Sequence, residues 1–258
     1  MKKIQATQRD ITCENLKTLR VPGMIEGYKK QWDDPAYGTL SFDVRLSEIV
    51  LTEVDARAVR RRERLLKEAN LKDKQACFER LIINDKRNVD WGMLDELRQG
   101  HWLKAPRHPC LLVTGRSGCG KSFICESFLR LAIDQGLSAY SLRHQQLNER
   151  FRDARAHNKS SSLRTILANK KVLLIDDFLM GSHTQEDEED LLALVETRNQ
   201  AATTIIASQY EVNVWHGKFL TPVIADAVMD RIAFNSYRIE LKGESLRKLL
   251  AEQIELDV

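Results

Sequence analysis

No apolar run in this 258-residue chain approaches the roughly 20 residues that a membrane-spanning helix needs, and mean hydropathy is only −0.39. The opening segment MKKIQATQRD carries two lysines with no apolar stretch behind them, so a secretory signal is not expected. Cysteine is scarce and poorly placed for cross-linking: there are 5, Cys13, Cys77, Cys110, Cys119 and Cys125, with no C-x-x-C pair. An odd, scattered set argues against a disulfide scaffold or a zinc knuckle and for a reducing cytosol, so a cytoplasmic protein is expected. Repeats and low-complexity segments are also missing. What is present is the material of a folded protein: 43% hydrophobic residues for a core and 30% charged residues for a solvated surface.

The net charge of +3 conceals an uneven distribution. Arg57, Arg60, Arg61, Arg62, Arg64 and Lys67 crowd one short stretch opposed only by Glu63. A second basic stretch holds Arg143, Arg150, Arg152, Arg155, Lys159, Arg164, Lys170 and Lys171. From 176 to 196 the only ordinarily charged side chains are acids, from Asp176 and Asp177 to Glu196. Any such run can be a solvated helix face, but two basic stretches in one chain favour an anionic polymer as partner. Arg57, Arg60, Arg61 and Arg64, and then Arg152 and Arg155, are the candidate DNA contacts. Neither stretch carries a zinc finger or a heptad repeat, so sequence-indifferent contact with the phosphate backbone is the simplest expectation.

The pattern divides the chain. Residues 11–71 read as helices punctuated by Pro22-Gly23 and Asp34-Pro35, and Ser41-Phe42-Asp43 opens a long one whose far half carries the first arginine cluster. After Pro106 and Pro109 come short apolar runs at 110–114, 139–142, 172–175, 203–207 and 237–241. Helical material separates the first four of these. Fully apolar strands alternating with helices predict an α/β fold with a mostly parallel sheet covered on both faces. The expected organisation is a helical region over 1–72 and an α/β domain over 73–258.

Gly115-Arg116-Ser117-Gly118-Cys119-Gly120-Lys121-Ser122 fits G-x-x-x-x-G-K-[ST] without exception, between an apolar strand and a helix. Glycines let the backbone turn its N–H groups inward onto phosphate oxygens, and the following helix adds its positive end. Lys121 would reach the β- and γ-phosphates of ATP, and the Ser122 hydroxyl would ligate Mg²⁺. Cys119 reads as a small residue tolerated in the loop. The run Val172-Leu173-Leu174-Ile175 ends in Asp176 and Asp177. Ligands of open α/β sheets sit at the carboxyl ends of the strands. Asp176 is therefore expected to hold the metal, directly or through water, and Asp177 to activate a water, which favours ATP hydrolysis. Ser208 and Gln209, closing the run 203–207, are both candidates to touch the γ-phosphate or that water. Arg231, on a helix opened by Pro222, could pair with a nearby acid such as Asp226 or act in trans on a neighbour's nucleotide.

At this level of detail the sequence resembles the IstB-like ATP-binding proteins, helper ATPases encoded beside the transposase in one class of bacterial insertion sequence. The resemblance rests on LSFDVRLSEIV and its arginine cluster, GRSGCGKS, LLIDDF, IIASQY, VNVWH, and IADAVMDRI continuing into NSYRIELKGESLRK. It spans about Leu16 to Lys248. It implies a P-loop NTPase of AAA+ type related to DnaC-type helicase loaders, assembling with ATP on duplex DNA and communicating with a DDE-type transposase. Carried over by position, Lys121 and Ser122 take the Walker A roles, Asp176 the Walker B role, and Asp177 that of a catalytic acid more often glutamate in the clan. Ser208 or Gln209 resembles sensor 1, Arg231 the arginine finger, and Arg247 a sensor 2 arginine. Two other readings stand beside this one: a replicative helicase loader of the same fold, and a scaffold that binds ATP as an assembly switch with little hydrolysis.

Overall fold

The computed structural model describes residues 7–81, 89–243 and 245, and two compact units divide at Arg64 and Leu65. The first unit is helical, with α1 (Gln8–Thr18), α2 (Pro22–Asp33) and most of α3 (Phe42–Glu68). Thr7 and Asp10 form a reciprocal capping box that starts α1, and Pro22 sits in the first turn of α2, where its missing N–H costs nothing. Helices α2 and α3 touch at Gly23, where a Cβ would lie 2.7 Å from the Glu53 Cα. Glu53 is only 5% exposed; its carboxylate accepts the Gly23 N–H at 2.6 Å and hydrogen bonds from Arg57 and Arg60.

The second unit starts earlier than the expected boundary at 72 because the last turns of α3 belong to its core. Leu65 and Ala69 are buried with residues of the sheet, and the Ala69 carbonyl accepts the Ser141 N–H at 2.8 Å. After α4 (Trp91–Arg98) come β1 (Cys110–Gly115), α5 (Lys121–Asp134), β2 (Ala139–Arg143), α6 (His144–Ala156), α7 (Ser160–Ala168) and β3 (Val172–Asp176). They are followed by α8 (Gln185–Arg198), β4 (Thr203–Ser208), the short α9 (Val212–Trp215), α10 (Pro222–Ala233) and β5 (Ser236–Leu241). The five apolar runs are thus the five strands. All pairings are parallel, in the order β2-β3-β4-β1-β5.

Alternation along each strand builds a core on either face. Leu111, Val113, Leu174 and Ile205 pack with α5 on one side; Leu112, Leu173, Ile175 and Ile206 pack with α6, α8 and α10 on the other. The register sets Thr114 beside Ser208 and Arg143 beside Asp176, so the carboxyl ends of four strands converge at one edge. Among the described residues no helix is long and apolar enough to cross a membrane.

Candidate nucleotide-binding site

The loop between β1 and α5 wraps one side of a cavity of about 640 Å³. Ser117, Gly118, Gly120, Lys121 and Ser122 line it from the loop, and Asp177 and Gln209 from the ends of β3 and β4. Gly115 could not carry a side chain: its φ is +149°, and a Cβ would meet the Leu241 carbonyl oxygen at 2.4 Å. Ser245 packs against the same loop at Gly118. Arg116 and Cys119 complete the loop, Cys119 being buried. Arg247 lies outside the described residues.

Lys121 is 5% exposed, and its ammonium donates to the carbonyls of Gly115 at 2.7 Å and Arg116 at 2.9 Å. These contacts brace the loop and keep the charge at its mouth. The Ser122 hydroxyl donates to Asp176 Oδ2 at 2.8 Å, while the Asp177 N–H donates to Asp176 Oδ1 at 2.9 Å. Both oxygens of the buried Asp176 are therefore oriented. A hydroxyl and a carboxylate held this close are hard oxygen donors of the kind Mg²⁺ takes when phosphates and water complete its shell. Among the described residues no group of three or more His, Cys, Asp or Glu is placed to hold a metal ion. Asp177 has φ +50°, a left-handed conformation that aspartate tolerates better than most residues. Its Oδ2 lies 3.8 Å from Arg143 Nε.

Ser208 and Gln209 have separate environments. Ser208 is fully buried; its hydroxyl donates to the Phe178 carbonyl at 3.0 Å and accepts the Tyr210 N–H at 3.1 Å. It ties the end of β4 to the turn after β3, whereas Gln209 lines the cavity. Arg231 lies away from that cavity. It donates to the Ala227 carbonyl at 2.6 Å and to Glu196 at 2.7 Å; Asp226 pairs instead with His216 at 3.1 Å.

The second basic stretch meets the acidic run in space. Arg152 and Arg155 both reach Asp187, and Arg155 also bonds Asp190. Burial would raise the Asp187 carboxyl, but Arg152, the Thr184 N–H and Arg155 outweigh it and bring its pKa down to about 2. Both arginines thus have internal ion-pair partners, with side chains 45% and 31% exposed. In the helical unit, Arg57 and Arg60 bond Glu53 yet leave side chains 61% and 49% exposed. Arg61 and Arg64 are engaged as well, on the same helix.

Sequence reasoning missed Glu126, whose carboxylate accepts the N–H groups of Lys72 and Asp73, each at 2.8 Å. All three residues line the nucleotide cavity. The available signal was a single acid inside the apolar helical run FICESFL, one turn beyond Ser122. Arg143 was counted as one of a basic run, although as the last residue of β2 it borders Asp176 in the sheet.

Comparison with known proteins gives the fold and the family. Among solved structures, AMPPCP-bound DnaA from Aquifex aeolicus superposes with a TM-score of 0.55 at 16% identity, over 72% of this chain and 56% of that one. A DnaC helicase loader gives 0.52 at 16% identity, over 65% and 97%. These likenesses establish the fold as that of AAA+ P-loop NTPases. The insertion sequence IS1162 ATP-binding protein of Pseudomonas fluorescens is 36% identical over 77% of this chain and 85% of its own. The insertion sequence ATP-binding protein y4pL of Sinorhizobium fredii is 30% identical over 92% and 96%. Residues 14–253 match the model of the family described as IstB-like ATP binding protein. With nearly the whole chain matched, the protein belongs to the IstB-like ATP-binding family.

Proposed function

We propose that the protein is a DNA-binding ATPase that assembles with ATP on duplex DNA and serves a DDE-type transposase of its insertion sequence. The observation that carries the ATPase part is the Ser122–Asp176 contact beside Asp177 and Gln209 in one cavity. Mg·ATP bound in this cavity would supply the labile γ-phosphoryl and a charge-neutralising metal. Lys121 would hold the phosphates, and Ser122 and Asp176 would hold the metal. Asp177 accepts the proton of the attacking water, and Gln209 orients that water, the sensor role left open between it and Ser208. Ser208 supports Gln209 from behind by fixing the turn.

The DNA part is supported by Arg57, Arg60, Arg61 and Arg64 on one helix, and not by Arg152 and Arg155. The transposition reading is supported by relatives at 36% and 30% identity being insertion-sequence proteins, whereas the likeness to a helicase loader is one of fold. Its direct test is binding to the transposase encoded beside it, measured with ATP and DNA present. Replacing the four arginines by glutamine should weaken binding to all duplexes alike and flatten the slope of log affinity against log salt by about one unit per lost phosphate contact. An unchanged slope would return the cluster to a solvated helix face.

Assembly enters through Arg231. Within one chain it belongs to Glu196; as a finger it must exchange that acid for a neighbour's γ-phosphate. Arg231→Ala should bind ATP but turn it over slowly, and mixing it with Lys121→Ala should restore part of the activity by pairing an intact P-loop with an intact finger. If mixed oligomers form and no activity returns, Arg231 is only the partner of Glu196.

A further inference from the structure

The segment 69–78 crosses the α/β unit as a strap, fastened along its length. Asn70 Nδ2 donates to the Ser141 carbonyl at 2.8 Å, Arg130 Nη1 donates to the Lys74 carbonyl at 2.8 Å, and the Phe78 ring meets Phe128 edge-on at 4.8 Å. At its centre the two oxygens of Glu126 take the N–H groups of Lys72 and Asp73.

Glu126 is an expensive fastener. It is 2% exposed, and burial pushes its pKa up, with Asp176 and Asp73 adding to the rise against the two N–H donors. No lysine or arginine pairs with it among the described residues. A buried carboxylate without a counter-cation costs stability, and water would satisfy two surface N–H groups without that cost. Its benefit is positional, and the residue it positions is Lys72.

Lys72 lines the nucleotide cavity together with Ser122, Asp177 and Gln209, and also a second cavity of about 250 Å³ bordered by Asp176 and Arg143. It therefore stands at the metal and water end of the site. Among the described residues the cavity wall has two cations, Lys72 and Lys121. The ammonium of Lys121 already serves the Gly115 and Arg116 carbonyls, whereas that of Lys72 has no hydrogen bond or ion pair among the described residues. A lysine on a flexible stem is a point charge suited to a phosphate that is present in one ligand state and absent in another.

We propose that Lys72 is a second phosphate-binding cation of the nucleotide site, selective for the terminal phosphate of a nucleoside triphosphate, and that Glu126 is the positioning residue that holds it there. The inference rests on the ATP-binding reading above. Its test is equilibrium binding of ATP and of ADP to the full chain by calorimetry. Lys72→Ala should lose about tenfold in ATP affinity, the worth of one charge-assisted contact, and less than about twofold in ADP affinity. Lys72→Arg should keep most of the preference. Glu126→Gln, which turns one acceptor oxygen into a donor facing an N–H, should show the same ATP-selective loss, and the double variant should lose no more than either single one. An unchanged ATP/ADP ratio in Lys72→Ala overturns the proposal. So does a Glu126→Gln variant that loses ATP and ADP equally, or a double variant whose losses add. Should Glu126→Gln not fold, Glu126→Asp, which keeps the charge and shortens the reach, is read by the same ratio. A wild-type chain that binds ATP no better than Lys121→Ala would instead sink the ATP-binding reading itself.

Discussion

Lys121→Ala should lose ATP affinity by about a hundredfold or more, while Asp177→Asn should bind ATP normally and hydrolyse it about 10² to 10⁴ times more slowly. The difference follows from where each side chain sits. Lys121 is buried at the mouth of the loop and braces two loop carbonyls, and in the proposed role its ammonium would also supply charge to the phosphates. Removing it would take away the charge available to the phosphates and loosen the loop whose Gly115 and Arg116 carbonyls it braces. Asp177 makes no such brace. Its side chain is 36% exposed, with Arg143 as its nearest cation, and Asn fills the same space without the ability to accept a proton from water. Calorimetry reads the first loss and steady-state phosphate release the second. Wild-type turnover in Lys121→Ala would remove the nucleotide assignment. A loss of ATP affinity in Asp177→Asn, with turnover per bound nucleotide unchanged, would move Asp177 from proton acceptor to ligand contact. If the wild-type rate is already close to that of Asp177→Asn, the chain is an ATP-dependent switch more than a hydrolase, as the shorter aspartate arm allows.

Local chemistry was legible in the sequence, and long-range pairing was not. The P-loop could be read because its glycines, lysine and serine must be contiguous to wrap a phosphate, and strand β3 because four buried apolar residues run unbroken into two carboxylates. The two long charge runs looked like independent surfaces, yet Arg152 and Arg155 close onto Asp187 and Asp190 across more than thirty positions. Spelling gave no hint of that, since either run satisfies the pattern of a solvated helix. Ser208 and Gln209 were equivalent as polar residues ending a strand; the pleat and the Phe178 carbonyl separate them. Glu126 hid for a related reason. Its partners are backbone N–H groups, which every residue but proline offers, so no side-chain pattern announces them. The boundary between the units is another such case, because Leu65 and Ala69 continue the helical pattern of α3 while contributing to the core of the sheet.

Arg198 carries no sequence motif that announces its role, and its loss should damage the fold severely. It is 2% exposed, and no carboxylate neutralises it among the described residues. Burial lowers its pKa to about 10, which leaves it charged at neutral pH. Its guanidinium is satisfied by oxygen dipoles instead. Nη1 donates to the carbonyls of Leu167 at 2.8 Å and Lys170 at 2.7 Å, Nε donates to the Thr204 hydroxyl at 3.0 Å, and Nη2 bonds the Thr203 carbonyl. The first two are carbonyls at and just past the C-terminal end of α7, where the helix dipole favours a cation. One side chain thus joins the end of α7 to the start of β4, and the approach to β3 runs between them. Arg198→Ala removes the charge, opens a cavity and strands these acceptors, so a loss of about 3–5 kcal/mol is expected. In thermal unfolding that is a fall in midpoint of about 10 °C for a unit of this size. Arg198→Lys should recover less than half, because three donors on one nitrogen cannot span sites arranged for a planar fork. Arg198→Met decides the cause. It fills the volume but donates nothing, so a midpoint near that of Ala places the stabilisation in the stranded carbonyls. A midpoint near wild type would place it in packing alone, and the dipole cage would be dispensable.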